Sequence, residues 1–180
     1  MIKIPEKEGR LSAAKAAHIE AVIAFVKRKT EGYRRDLFAN ISRVMLVSGT
    51  FEDMSARDDW SWLSDFILAD VETLKRMLSR PELLQFDEFK RMYSDYFSAG
   101  SDKYVDASTK YNAYMFIENL GVTICPYCDE EYLDVVENGN GGKLRTLEID
   151  HFFPKGKYPA LAMCFYNLVP SGQNCNGMKR

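Results

Sequence analysis

The sequence predicts an α+β protein, in which a mostly helical region is followed by a small module that contains β-strands. Apolar residues recur at helical spacing up to about residue 120, and two alternating runs that flank the turn "ENGNGGK" follow beyond it. A Cys-x-x-Cys pair and an Asp-His pair also lie in this last third of the chain. We therefore expect a helical region at residues 1–120 and a separate module at residues 121–180.

The helical region contains amphipathic segments whose apolar residues fall on one side of a helix. In the first segment, Ile19, Val22, Ile23 and Val26 follow the i, i+3, i+4, i+7 spacing. Four later segments have the same pattern: "RRDLFANISRVMLVSG", "WSWLSDFILADVETLKRMLS", "PELLQFDEFKRMYSDYF" and "DASTKYNAYMFIENLG". Each segment is predicted to form a helix.

Glycine, proline and capping residues set the predicted ends of these helices. Gly49 and Gly121 follow the last apolar residues of their segments, as expected of left-handed C-terminal caps. Pro81 cannot lie inside a helix, so we expect it to begin one. The side chain of Asp106 or of Ser108 can cap the start of the last helix.

The helical region has two roles that fit its pattern. It either supports the C-terminal module as a scaffold, or it forms a docking surface for a partner protein or DNA. The scaffold is favoured, because amphipathic helices gain most of their stability from packing into a core.

Composition and charge limit the classes of protein to which the chain can belong. The 180 residues have a formal net charge of −2, so an anionic partner must be met by a local group of basic residues. The first ten residues lack an apolar segment of signal length, and no apolar run approaches the roughly eighteen residues that span a bilayer. We therefore expect a cytoplasmic protein with no membrane partner, whose four cysteines are thiols or metal ligands.

The C-terminal module is predicted to be a hairpin, a loop, a returning strand and a helix. "EYLDVV" and "LRTLEID" alternate between apolar and polar residues on either side of the glycine-rich turn. The residues after His151 carry prolines and a glycine, as expected of a loop, and "NLVP" is the returning strand. A helix that begins near Asn174 would place Asn176 in its first turn.

The Asp150–His151 pair at the end of the second alternating run carries the chemistry that phosphodiester hydrolysis needs. A carboxylate suits a hard divalent cation, and an imidazole can accept a proton near neutral pH. A lone histidine in such a place is usually a packed residue. Here Asn167 and Asn176 follow it, and the amide of an asparagine can hold a loop or a ring in place without titrating.

These stretches resemble the HNH endonuclease family, whose members share a ββα-metal fold. The resemblance rests on "CPYC" and on "LEIDHFFPKGKYPALAMCFYNLVPSGQNCNGMK", and it covers about residues 120–180. The chain is most similar to bacterial HNH proteins with "DHFFPK", "YP" and "NLVP" stretches, some of which accompany anti-phage defence systems. The C-terminal module is therefore expected to be a small ββα-metal nuclease module.

The resemblance implies a role for each polar residue of the module. His151 is the expected general base that activates water, and Asn167 is expected to orient the loop next to it. Asp150 and Asn176 are the expected ligands of one catalytic Mg²⁺ or Mn²⁺ ion. Nucleic acid, with DNA favoured, is the expected substrate, and the expected products carry a 5′ phosphate and a 3′ hydroxyl. A defence role would also imply a partner protein such as an ATPase.

Four basic residues supply the local positive charge that the chain as a whole lacks. Lys155, Lys157, Lys179 and Arg180 lie in the loop after His151 and at the end of the module, so they are predicted to bind nucleic acid. The alternative is that they are ordinary surface residues.

The cysteines favour a structural zinc site. Cys125 and Cys128 lie two apart on a tight turn, where both thiolates can reach one ion, and Cys175 is the expected third ligand. In many HNH proteins a second Cys-x₂-Cys pair completes the site, but here Gly172 stands where its first thiol would be.

The fourth ligand of this zinc is left open by the sequence. Cys164, a water molecule or another residue could complete the site, or the site does not form. Cys164 is more readily interpreted as a small buried apolar side chain. A redox role for the Cys-x-x-Cys pair is less favoured, because the pair lacks the strand and long helix of such motifs.

Two functions from different classes fit these patterns. The chain is either a metal-dependent endonuclease or a non-catalytic zinc-knuckle module that binds nucleic acid or a protein. A binding module needs the cysteines but has no need for Asp150, His151, Asn167 and Asn176 together. The sequence therefore favours the nuclease.

Overall fold

The structure is a computed structural model that describes residues 9–49, 60–98, 103–133, 135–137, 143–145 and 147–178. It is an α+β fold, as the sequence predicts. The helices are α1 (Arg10–Lys27), α2 (Glu31–Val47), α3 (Ser61–Ile67), α4 (Val71–Met77), α5 (Glu88–Met92), α6 (Ala113–Leu120) and α7 (Gln173–Met178). The strands are β1 (Val135–Glu137), β2 (Lys143–Arg145), β3 (Leu147–His151) and β4 (Leu168–Gly172). None of the described helices combines the length and apolar character needed to cross a membrane.

The third and fourth predicted helices are each divided in the structure. The third is broken between α3 and α4, because the Asp70 side chain accepts a hydrogen bond from the Thr73 N–H at 2.8 Å and so begins a new helix. The fourth begins at Pro81 as predicted, but only as a short 3₁₀ turn that ends at Leu84. α5 follows at Glu88 and continues into a π-helical turn, Tyr93–Phe97.

The predicted cap of the last helix in the helical region is wrong. α6 begins after Asn112, whose Oδ1 accepts from the backbone N–H of Tyr114 at 3.0 Å. Asp106 instead accepts hydrogen bonds from the hydroxyls of Ser108 and Thr109 in the preceding turn. The predicted end of the helix is confirmed, because Gly121 adopts a left-handed conformation with a φ of 62°.

The strands of the C-terminal module come in the predicted order, but the predicted strand "LRTLEID" is divided into β2 and β3, which belong to two separate two-stranded sheets. β1 pairs antiparallel with β2, and the turn between them lies outside the described residues. β3 pairs antiparallel with β4, with His151 opposite Leu168 and Leu147 opposite Gly172. α7 follows β4 directly and carries Asn176, so the hairpin of β3 and β4 and the helix lie side by side.

One hydrophobic core includes residues from both regions of the chain. Phe66, Phe89 and Phe116 from the helices are fully buried in it, together with Leu147 and Leu161 from the C-terminal module. α5 packs against the 3₁₀ turn at Pro159–Leu161. This packing is the arrangement that the scaffold role requires. The docking role stays a prediction.

His18 on α1 joins the helical region to the loop that precedes β4. Its ring is fully buried, and Nε2 donates to the carbonyl oxygen of Met163 at 2.8 Å. Nδ1 accepts from the Tyr111 hydroxyl at 3.0 Å. Since a carbonyl oxygen can only accept, this pair of bonds fits the neutral ring. Burial lowers the pKa of His18 to about 4.

The buried His18 predicts a loss of stability on acidification. In the unfolded chain His18 has the ordinary histidine pKa of 6.5, whereas in the folded chain its pKa is about 4. The contribution of neutral His18 to the free energy of unfolding is complete above the unfolded pKa. It decreases by about 3 kcal/mol in total as the pH falls from the unfolded to the folded pKa. Urea unfolding at about pH 7 and about pH 4 measures this change.

The variant His18→Gln isolates this effect from the other titrating groups. Its amide can still donate to Met163 but does not titrate, so its free energy of unfolding should fall by about 3 kcal/mol less than that of the wild type over the same interval. Equal losses in both proteins would contradict the assignment.

Candidate functional site

An open cleft of about 490 Å³ lies at the end of β3, where β3 meets α7. Four predicted site residues line it: Asp150, His151, Lys155 and Asn176. β3 supplies the first two because the strand ends there, so that neighbouring side chains reach the same edge. The structure thus brings together both predicted ligands of the catalytic cation, the predicted base and one predicted nucleic-acid contact.

Asp150 is held by a tyrosine that the sequence analysis missed. The Tyr127 hydroxyl donates to Oδ2 of Asp150 at 2.6 Å, and Asp150 as a whole residue is only 9% exposed. Burial, and then the hydrogen bond to Asp150, raise the pKa of Tyr127, so the phenol remains a proton donor. Tyr127 lies between Cys125 and Cys128, so the cysteine turn positions a residue of the cleft. Its place between the two thiols was the only available signal.

His151 has a defined tautomer in the structure. Its Nε2 lies 3.1 Å from the carbonyl oxygen of Ala162, which can only accept, so Nε2 carries the proton and Nδ1 the lone pair. The ring meets the edge of the Tyr93 ring at a centroid distance of 4.5 Å. Burial, and then the charge of Lys155, lower the pKa of His151 to about 4. The imidazole is therefore neutral at pH 7.

Asn167 lies behind the cleft rather than in it. The residue is fully buried, and its Oδ1 accepts from the backbone N–H of Phe153 at 2.7 Å. Its Nδ2 donates to the carbonyl oxygens of Phe153 at 3.1 Å and of Leu161 at 2.9 Å. These three bonds join both ends of the loop that follows His151. They are the contacts that the predicted loop-orienting role requires.

Asn176 contacts a second carboxylate of β3. Its Nδ2 donates to Oε2 of Glu148. Glu148 and Asp150 are two apart on the strand, so both side chains leave the same face of the sheet. Glu148 lies in the alternating run "LRTLEID" and has no predicted role, although the same alternation places it on the face of Asp150.

The oxygen atoms at this edge suit Mg²⁺ or Mn²⁺. Mg²⁺ commonly binds through one or two carboxylates and keeps several water molecules, so Asp150 with the Asn176 amide oxygen fits this donor set. The ligand atoms at this edge are not tightly clustered: those of Glu148, Asp150 and His151 do not all lie within 4.8 Å of one another. A cation here would therefore complete its shell with water and substrate oxygens.

The predicted nucleic-acid contacts divide into three groups. Lys155 lines the cleft, with Nζ 4.5 Å from the centre of the Tyr93 ring. Lys157 lies over the Tyr158 ring at 5.2 Å. Lys179 and Arg180 lie outside the described residues.

The three predicted zinc ligands Cys125, Cys128 and Cys175 come together in the structure. Their sulfur atoms all lie within 4.8 Å of one another, so they could hold one metal ion. Backbone N–H groups point at two of them, from Gly172 to Cys125 at 3.3 Å and from Glu131 to Cys128 at 3.5 Å. Such donors stabilise thiolates, which are the form that binds zinc.

The thiols of the cluster differ in their affinity for protons. Backbone N–H groups, that of Glu131 first, lower the pKa of Cys128. The hydrogen bond between Cys128 and Cys175 is the largest of the effects that raise the pKa of Cys175 to about 12. The thiols that carry protons hydrogen-bond to their neighbours in the cluster. A soft divalent ion such as Zn²⁺ would replace those protons, so the donor set fits zinc.

Cys164 does not join this cluster. It is fully buried, and its Sγ donates to the carbonyl oxygen of Phe66 at 3.5 Å. Burial raises its pKa far above the ordinary range of a thiol. The structure therefore places Cys164 in the hydrophobic core, and the alternative in which it completes the zinc site finds no support.

Comparison with known proteins gives one short similarity. The chain is 46% identical over 35 residues to the Septu protein PtuB of Bacillus thuringiensis. The match covers 19% of this chain and 14% of the relative, so the chain spans only a small part of that protein's length. No family model matches the chain. No solved structure matches it either.

Proposed function

We propose that the chain is a metal-dependent endonuclease of the HNH type that hydrolyses phosphodiester bonds of DNA. The observation that carries the proposal is the cleft at the end of β3, which Asp150, His151, Lys155 and Asn176 line together. These residues offer a hard oxygen ligand, a proton acceptor, a positive charge and an amide. Phosphodiester hydrolysis uses a base to activate water and a bound cation to neutralise charge, and the first two groups supply these.

The residues of the cleft divide the chemistry between them. His151 would accept the proton of the attacking water at Nδ1, because Nε2 is already bonded to the carbonyl oxygen of Ala162. Asp150 and Asn176 would hold the Mg²⁺ or Mn²⁺ ion, which when bound neutralises charge on the phosphate and on the leaving 3′ oxygen. Lys155 would contact a phosphate of the substrate.

Other residues would position these groups without contacting the substrate. Tyr127 holds the Asp150 carboxylate through a hydrogen bond of 2.6 Å. Asn167 ties both ends of the loop that follows His151. A site of this kind depends on such support, because small displacements of a base or a ligand reduce the rate strongly.

A role in anti-phage defence is part of the proposal. Two findings support it: the similarity to the Septu protein PtuB, and the resemblance of the "DHFFPK" and "NLVP" stretches to bacterial proteins that accompany defence systems. By the same resemblance, a partner ATPase would act with this chain in the cytoplasm. Co-purification of the chain with proteins from its own host cells tests this part separately.

Plasmid cleavage tests the nuclease itself. The full chain should convert supercoiled plasmid to nicked or linear DNA with Mg²⁺ or Mn²⁺ and should do so no faster than buffer when a chelator is present. Asp150→Asn keeps the shape of the side chain but removes its charge, so cleavage should fall by at least about 100-fold. The exposed Glu130→Gln, which makes the same chemical change on the cysteine turn, is the matched control and should retain activity.

A second candidate function is a zinc-knuckle module that binds nucleic acid or a protein without cleaving. The convergence of Cys125, Cys128 and Cys175 favours it, because such a module needs little else. It predicts a mobility shift of DNA in gels with no cleavage under any divalent cation. This outcome would contradict the nuclease.

A further inference from the structure

The cysteine cluster has three thiols, whereas a structural zinc binds four ligands. Gly172 lies where the HNH pattern has a further cysteine, and its N–H contacts Cys125 Sγ at 3.3 Å. This glycine is buried, and its φ is not in the left-handed region that favours glycine. The backbone conformation therefore does not explain why position 172 lacks a side chain.

The carboxyl group of Glu131 occupies the space that a side chain at position 172 would use. A Cβ atom added to Gly172 would overlap this carboxyl group, since even the more distant oxygen, Oε1, would lie only 2.6 Å away. Any side chain at position 172 would displace the carboxylate. The space next to the cluster that a fourth cysteine would use is thus filled by an acidic group from elsewhere in the chain.

Glu131 is tied to the cluster through its own backbone. Its N–H donates to Cys128 Sγ at 3.5 Å, and its carbonyl oxygen accepts from the Cys125 N–H at 2.8 Å. Within the described part of the chain, no hydrogen bond or ion pair engages its carboxylate. A cation placed between this carboxylate and the thiolates of the cluster would be attracted by all of them.

We propose that Glu131 supplies the fourth ligand of a zinc ion held by Cys125, Cys128 and Cys175. Glutamate oxygens are ordinary zinc ligands, at about 2.0–2.2 Å from the ion, and one carboxylate carries the same charge as the thiolate that it replaces. The Glu131 carboxylate is not among the ligand atoms that all lie within 4.8 Å of one another. Its side chain must therefore rotate inward when zinc binds, while its backbone stays bonded to both cysteines.

Zinc affinity, measured on the full chain by competition with a chromophoric chelator, tests the proposal. Glu131→Ala should weaken zinc binding by at least about 100-fold, because the loss of an outer contact alone can cost up to about that much. Glu131→Gln, which keeps the volume of the side chain, should weaken it as well. The control is Glu130→Ala, which removes the neighbouring carboxylate on the same turn and should bind zinc like the wild type.

A ligand exchange separates a direct role from a structural one. In Glu131→Ala/Gly172→Cys the carboxylate is removed and a thiol is placed where it was, so zinc affinity should recover by at least about tenfold over Glu131→Ala. X-ray absorption at the zinc edge should change from three sulfur ligands and one oxygen in the wild type to four sulfur ligands, at about 2.3 Å, in the double variant.

Three results would overturn the proposal. The first is that the wild-type chain binds no zinc. The second is that Glu131→Ala binds zinc as tightly as Glu130→Ala does. The third is that the double variant shows no additional sulfur ligand. None of these measurements depends on cleavage, so the proposal can fail while the nuclease stands, and the nuclease can fail while the zinc ligand stands.

Discussion

The His151→Ala variant is expected to cleave plasmid DNA at least about 100-fold more slowly than the wild type, with the loss in the rate of cleavage rather than in binding. Removing the imidazole removes the neutral ring of the cleft that offers one nitrogen as a proton acceptor. Asp150 and Asn176 are untouched by the change, so the cation should still bind. Single-turnover cleavage with saturating Mg²⁺ or Mn²⁺ measures the effect.

The second histidine of the chain provides a matched control. Like His151, His18 is buried and bonded to a carbonyl oxygen, and its pKa is lowered to about 4. Unlike His151, it lies in the core and does not line the cleft. His18→Gln should therefore cleave at a rate close to that of the wild type when both are assayed below their unfolding temperatures. Cleavage by His151→Ala at the wild-type rate would remove His151 from the role of base.

Local sequence patterns predict the elements of this fold better than their ends. The apolar stripe over "WSWLSDFILADVETLKRMLS" continues across α3 and α4, but the Asp70 side chain caps a new helix within it. The stripe reports which residues face the core and says little about the backbone at one residue. The same limit applies to α6, where Asn112 and not Asp106 or Ser108 caps the helix, since all three residue types cap equally well in isolation.

In the candidate site, the sequence predicts residues that are close together in the chain and misses contacts between distant ones. Asp150 and His151 could be found because they are adjacent at a strand end, and the order of the motifs then indicated Asn167 and Asn176. Tyr127 lies 23 positions from Asp150, and no spacing rule connects them. Contacts between distant elements depend on the packing of the whole module, which periodicity does not encode.

Glu131 and Gly172 illustrate the same point at the cysteine cluster. The sequence indicates that a cysteine is missing at position 172, but the replacement lies 41 positions earlier, on the turn that carries the first two thiols. A search for a fourth cysteine leads instead to Cys164, which the structure places in the core. The proximity of Gly172 and the Glu131 carboxylate is visible only in the folded structure.

The Cys125→Ser variant is expected to lose zinc and, with it, the support of the cleft. Cys125 is fully buried, and its sulfur accepts from the Gly172 N–H, so it joins the cysteine turn to β4. If zinc is present at about 100 times its dissociation constant, its binding stabilises the folded chain by about 2.7 kcal/mol. A loss of this size lowers the unfolding midpoint by about 5–10 °C for a chain of this length.

Chelation distinguishes this effect from a simple packing defect. A strong chelator should lower the midpoint of the wild type to near that of Cys125→Ser and should leave the variant itself unchanged, because both treatments remove the same ion. Cys164→Ala is the matched control, since it removes a buried thiol that does not belong to the cluster, and its zinc content by mass spectrometry should equal that of the wild type.

Cleavage should also fall in Cys125→Ser, because Tyr127 would no longer hold Asp150. Retention of one zinc per chain by Cys125→Ser, or an equal chelator response in both proteins, would contradict the assignment of the cluster as a zinc site.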